Sequence, residues 1–363
     1  MRTVFTLCLC LFFTGCLRLP EGQDEPIRAY CLDFNWGEGG PNGFAKPGLW
    51  ADASPTEQVK WYKALGANTI QTFCVSCNGY AWYKNGSIPC QPGLKYDYLC
   101  DMVRLGHEQG MKVFGYFCIG SNTRWGLEHP DLSYGIPADR HIPFTQRYLD
   151  YLDTAIREAV ALSGIDGFMI DWFYQPNRSA TNGEWLECEK VRYQELMGRP
   201  FPGRLDLDSK EYIAYSRLAI EKTWDVIHRA AKETNPHCLI WLTCFDITHP
   251  HIVNSKMFRQ VDWLMNEGGD LARIERIRGM VGKNTRLITC LAEWNKQDAR
   301  NVAVDAIKAG VGLYGFAKPD ANGLLPFADH YLSMPIDHLS GDERNIAALA
   351  RIYRQLPLDY IKK

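Results

Sequence analysis

The sequence predicts an α/β chain wound as one (β/α)8 TIM barrel. First, short runs rich in β-branched and aromatic residues recur eight times and are near-continuous in apolar residues, as strands buried on both faces of a parallel sheet are. Second, helical stretches alternate with them, and several end in the Gly or Asn-Pro that stops a helix. Third, 363 residues suffice for one such barrel. The competing doubly wound sheet would show G-x-G-x-x-G opening a helix after the first strand, and this chain has none there.

In chain order, the first strand is expected over residues 29–34 and a helix over 56–65, stopped at Gly66. A strand at 68–74 precedes a helix at 95–109 that stops at Gly110, then a strand at 112–119. The helix at 143–162 stops at Gly164, before the fourth strand at 167–172. A long helix at 209–234 meets Asn235-Pro236, which ends it ahead of a strand at 238–243. Strands at 262–266, 286–291 and 311–316 complete eight, with helices at 272–280 and 296–309 between them. No composition break within 27–355 marks a second domain, so 27–363 is expected to be a single catalytic barrel domain.

Ahead of the barrel, Arg2, the apolar run 4–13 and Phe13-Thr14-Gly15-Cys16 form a charged, then apolar, then small-residue pattern, that of an export signal. The run is too short to span a bilayer. Its end is similar to a lipobox, which makes Cys16 the expected lipidation site, 1–16 the signal and 17–26 a tether. The expected location is outside the cytoplasm, with membrane contact only through that N-terminal lipid. Of the 13 Cys, Cys31, Cys74, Cys118, Cys238, Cys244 and Cys290 fall in strand-like runs, where Cys acts as a small hydrophobe. Cys77 with Cys90, or Cys90 with Cys100, are the pairs that loop spacing allows.

Composition excludes several classes. With 46% hydrophobic residues, 23% charged and a net charge of −2, the chain is globular and lacks the basic footprint of a nucleic-acid partner. It has no G-x-S-x-G elbow and no phosphate-binding G-x-x-x-x-G-K-[ST] loop. His249-Pro250-His251 copies the H-x-H spacing of metal-dependent hydrolases, but at the fifth strand rather than the first, so no metal or other cofactor is expected.

Chemistry in such a barrel belongs at the C-terminal strand ends. Those ends carry Asp33, Asp171, Asp246, Glu267 and Glu293, interleaved with aromatic residues such as Trp36, Trp82, Trp125, Trp172 and Trp294. Acids among aromatic rings suit an oligo- or polysaccharide, since cleaving a glycosidic bond needs two flanking carboxyl groups. Asp171, ending the apolar fourth strand, is the expected attacking group or base. The expected acid is Glu267 or Glu293, each beside apolar residues that would raise its pKa. Asp33, Asn78, Tyr80, Trp82, Tyr116, Trp172, Asp246 and Trp294 are the expected sugar-binding set, of which two or three Trp line the cleft. Lys318 at the eighth strand is read as a rim cation rather than a Schiff-base former. The competing reading is a carbohydrate-binding lipoprotein that no longer turns over.

Val113-Phe114-Gly115-Tyr116, His129-Pro130-Asp131 and Ile165-Asp166-Gly167-Phe168-Met169-Ile170-Asp171-Trp172-Phe173 resemble the hypothetical glycosyl hydrolase family 6 of bacteria. More remotely, the chain looks like family 29 alpha-L-fucosidases, and Asn78-Gly79-Tyr80-Ala81-Trp82-Tyr83 falls where those carry His-His-Asp-Gly-Phe. That resemblance implies a retaining reaction with Asp171 as nucleophile. Ser76-Cys77-Asn78 stands in place of the His pair, so it implies no fucose specificity.

Overall fold

The computed structural model describes residues 25–37, 44–136, 139–292 and 299–356. Within them the eight expected strands are β1 (Arg28–Leu32), β2 (Thr69–Gln71), β3 (Lys112–Cys118), β6 (Gly167–Asp171), β7 (Leu239–Cys244), β8 (Trp263–Asn266), β9 (Arg286–Cys290) and β10 (Gly312–Ala317). They close in the order β1-β10-β9-β8-β7-β6-β3-β2, every pair parallel. The numbers β4 (Tyr134–Ile136) and β5 (Asp139–His141) belong to an antiparallel hairpin outside the barrel.

The outer layer follows the expected stops. Helix α1 (Pro55–Leu65) starts on the Ser54 side chain, which accepts from Glu57 N–H, and ends at Gly66, whose φ of 88° only glycine adopts cheaply. Helices α2 (Tyr98–Glu108), α3 (Thr123–Glu128), α4 (Gln146–Ser163), α5 (Glu187–Met197), α6 (Ser209–Thr234), α7 (Lys256–Gln260), α8 (Leu271–Ile277), α9 (Ala299–Lys308), α10 (Ala328–Ser333) and α11 (Gly341–Gln355) complete it. No described helix is long and apolar enough to cross a membrane.

Two features of the core position the site. Inside the barrel Phe114 stacks on Trp263 at 4.3 Å, and Trp241 meets Trp263 and Tyr314, each at 5.3 Å. These rings fill the lumen beneath the polar pocket at the C-terminal mouth. Between β6 and α6 the chain makes an excursion with its own small core of Trp185, Tyr193 and Tyr215. It is pinned by buried Glu189, which accepts from Arg178 Nε at 2.9 Å and Tyr134 OH at 2.6 Å. Such a pair persists because both ions keep hydrogen-bond partners.

Of the cysteines expected in strand-like runs, Cys31, Cys74, Cys118, Cys238 and Cys290 are buried and Cys244 is partly exposed. Cys77, Cys90 and Cys100 are free thiols, so neither spacing-allowed pair is formed in this structure. Cys16 and the signal and tether segments through residue 24 lie outside the described residues.

Candidate active site

Three of the five strand-end acids converge. Asp33, just past β1, Asp171 at the end of β6 and Glu267 just past β8 line one small pocket in the barrel mouth, with Tyr116, Gln71 and Tyr314 beneath them. The strands place them together because inward-facing positions alternate along each strand, and Asp171 and Glu267 stand two residues above Met169 and Met265, which line the same pocket.

Asp171 is held on both oxygens. Tyr116 OH donates to Oδ2 at 2.9 Å, and the backbone N–H of Trp172 donates to Oδ1 at 2.6 Å. The chain turns sharply just past this bond, Trp172 adopting a left-handed φ of 54°. Gly120 leaves room for the turn: a Cβ there would lie 2.1 Å from the Trp172 carbonyl oxygen. Burial pushes Asp171 up to about 6, against the lowering pull of those donors.

Asp33 is buried and pushed up to about 7, by burial first and then by Asp171, although Asn35 N–H donates to it at 2.8 Å. Glu267 is pushed well above the ordinary carboxyl range, by burial first and then by Asp171 and Asp33. No donor among the described residues is recorded reaching the Glu267 carboxyl, so nothing there favours its ionised form. The cluster therefore pairs a carboxylate stabilised by two donors with a carboxyl inclined to keep its proton.

A raised carboxyl stabilises the fold below its unfolded pKa, and the contribution is lost as pH rises through the folded value. Asp33→Asn, which keeps an oxygen for Asn35 N–H, should thus unfold on the order of 5 °C above wild type at pH 8. The advantage should vanish near pH 4. Thermal unfolding at the two pH values reads this directly, and equal midpoints at pH 8 would show that Asp33 carries no strained charge.

Above the acids opens a cavity of about 670 Å³ whose walls include Trp36, Trp172, Tyr174, Phe245, His249 and His251. Trp172 is packed edge-on against Phe44 at 5.2 Å and lies 6.4 Å from Trp36. Asp246 lines this cavity rather than the acid pocket. It stays ionised, its Oδ1 accepting from Thr248 Oγ1 at 2.6 Å and facing Arg273 Nη1 at 3.4 Å.

The loop after β2 departs from expectation. Asn78 is buried and saturated by Ala45, Gln91 and Tyr80, and Trp82 is buried against Phe34 with its indole N–H on Ser76 at 2.6 Å. Tyr80 lies over Arg124, 5.9 Å from the guanidinium. None of the three lines either cavity, because the loop folds back onto Val75 through Ala81. Trp125 is buried too, leaving Trp36 and Trp172 as the cleft tryptophans among the described residues. Glu293 and Trp294 lie outside the described residues. Lys318 is exposed and donates to Gly37 O at 2.6 Å. Among the described residues no group of three or more His, Cys, Asp or Glu is arranged to hold a metal ion.

Sequence reasoning missed Gln71, Tyr314 and Thr243. Tyr314 OH donates to Gln71 Oε1 at 2.7 Å, bracing the pocket floor, and buried Thr243 Oγ1 lines the pocket without a hydrogen-bond partner in this structure. A polar residue inside an otherwise apolar run is the signal that marks each.

No protein-family model and no curated protein sequence matches this chain. Among solved structures it is similar to alpha-L-fucosidase isoenzyme 2 from Paenibacillus thiaminolyticus, with a TM-score of 0.68 and 14% identity over 91% of this chain and 49% of that one. The chain thus spans about half the length of that fucosidase. It is also similar to the PgaB (BpsB) glycoside hydrolase domain from Bordetella bronchiseptica, with a TM-score of 0.58 and 12% identity over 84% of this chain and 97% of that one. An alpha-amylase from Geobacillus thermoleovorans follows at a TM-score of 0.50 and 11% identity, over 92% and 79%. At these identities the likeness is one of architecture: the chain is a (β/α)8 barrel of the kind these glycoside hydrolases share.

Proposed function

We propose that this protein is a glycoside hydrolase whose working pair is Asp171 and Glu267. The observation that carries the reading is their convergence at the C-terminal mouth of a closed barrel, under a cavity walled by aromatic rings. Asp171 attacks the anomeric carbon as Glu267 gives its proton to the departing glycosidic oxygen. Glu267 then takes a proton from water, which attacks the same carbon and releases Asp171. Tyr116 and the Trp172 N–H hold the attacking carboxylate in place, and Asp33 takes sugar hydroxyls from below. Export and anchoring through a lipid on Cys16 belong to the same proposal and set the enzyme on glycans outside the cell. The architectural likeness to glycoside hydrolases supports the reaction class.

The test is hydrolysis of aryl glycosides in both anomeric forms of fucose, galactose, glucose, xylose, arabinose and rhamnose, with the product anomer followed by NMR. Retention of configuration is expected, and inversion would recast Asp171 as the base that activates water. Silence across the panel would leave an endo-acting or extended-substrate enzyme and a binding protein, which hydrolysis of longer glycans separates.

The rate should be bell-shaped in pH. Asp171 must be ionised and Glu267 protonated, so kcat/KM should fall as pH drops through about 6 and fall again on the alkaline side as Glu267 loses its proton. An acid limb at the ordinary carboxyl value would remove Asp171 from that role.

A further inference from the structure

The aromatic cavity is larger than the acids alone require, and its outer wall has its own character. Phe245 is 64% exposed and Tyr174 44% exposed, on the loops after β7 and β6. Exposed rings usually fold down onto apolar neighbours, but Phe245 stays exposed on a loop whose backbone is braced. Thr248 N–H donates to Asp246 beside it at 2.9 Å, and Arg217 donates to Pro250 O at 2.8 Å and Val253 O at 2.6 Å. Across the loop, Gly268 lets the chain after β8 pass close: a Cβ there would lie 2.8 Å from the Phe245 carbonyl oxygen. The same cavity wall reaches Asp171 and Glu267 without interruption.

We infer that this wall is a second sugar subsite, with Phe245 and Tyr174 as stacking platforms, so that the substrate is an uncharged glycan of several units rather than a single terminal sugar. The inference rests on the glycosidase reading for the identity of the first subsite. Three features support it. The cavity has room for more than one ring at about 670 Å³. The loop that carries Phe245 is braced in the unliganded chain by the Thr248 and Arg217 hydrogen bonds, so little backbone ordering entropy is lost on binding. Its flanking imidazole is neutral, since burial with His249 and Arg217 nearby pushes His251 down to about 4. A neutral imidazole suits hydroxyl groups better than an anionic substituent.

The test reads binding apart from turnover. Asp171→Asn protein is applied to an immobilised array of neutral glycans from monosaccharide to hexasaccharide. Signal should rise with chain length, and adding Phe245→Ala should cut it by about ten-fold on the longer glycans, the effect of losing one stacked ring. Phe245→Trp, which keeps a platform, should restore it. Length-independent binding, binding to no glycan, or indifference to Phe245→Ala would each overturn the subsite. Release of reducing ends by the wild-type chain from the same glycans, monosaccharide glycosides to hexasaccharide, judges the glycosidase reading separately. Silence there beside length-dependent binding removes cleavage and leaves the subsite standing.

Discussion

Asp171→Asn lowers kcat by about three orders of magnitude or more on whichever aryl glycoside the wild type cleaves, as expected for a group that bonds to the reacting carbon. The amide retains the shape of the carboxylate and an oxygen for the Tyr116 hydroxyl or the Trp172 N–H, so folding is undisturbed. What it loses is the negative charge and the lone-pair reactivity. A second consequence separates this role from a loop cap: part of the upward push on Glu267 comes from Asp171, so removing that charge lets Glu267 ionise more readily. The alkaline limb of the residual rate should therefore move to lower pH. Turnover within a few-fold of wild type would return Asp171 to the status of a turn-capping carboxylate.

Glu267→Gln has the next largest effect, and its size depends on the leaving group. An amide cannot give up a proton, so substrates whose aglycone is another sugar should lose about 10²- to 10⁴-fold in kcat/KM. Dinitrophenyl glycosides, whose leaving group departs without protonation, should lose far less in the bond-breaking step. Equal losses on both substrates would mean that Glu267 only shapes the pocket, and the proton donor would then be sought at Glu293. The pH profile adds its own signature. Glu267 is protonated and uncharged while Asp171 titrates, so in the variant the acid limb at about 6 should stay in place while the alkaline limb set by Glu267 disappears.

Much of the barrel was legible in the sequence. Strands covered on both faces write themselves as apolar runs, and Gly66, Gly110, Gly164 and Gly310 adopt the left-handed φ that ends a helix or turns the chain beyond it. Hence all eight strands appear within a residue or two at most ends, although the strand read at 68–74 has regular pairing only over Thr69–Gln71. The hairpin of β4 and β5 and helices α3, α5, α7, α10 and α11 were not foreseen. In α5 the buried residues are Glu189, Arg192 and Tyr193, so no apolar stripe betrays it; an ion pair and ring contacts hold it instead. Asp33, Asp171 and Glu267 were legible because a carboxylate closing an apolar strand is conspicuous. Asn78, Tyr80 and Trp82 misled because closeness to a strand end in sequence does not say which way a loop folds. Gln71 and Tyr314 stand out only as polar groups within apolar runs, and in a strand buried on both faces the sequence does not say which positions point inward.

The ring-filled lumen of Phe114, Trp241, Trp263 and Tyr314 has a consequence for proton traffic. Among the described residues these rings fill the axis beneath the acid pocket, and under the glycosidase reading a glycan seated in the cavity above would cover its mouth. While covered, the chamber would be a closed proton compartment: what Glu267 releases to a leaving sugar would be recovered from the water that enters as that sugar departs. Turnover would then consume one water and conserve the proton count of the Asp33, Asp171 and Glu267 cluster, leaving bulk pH to set that count between cycles rather than during them.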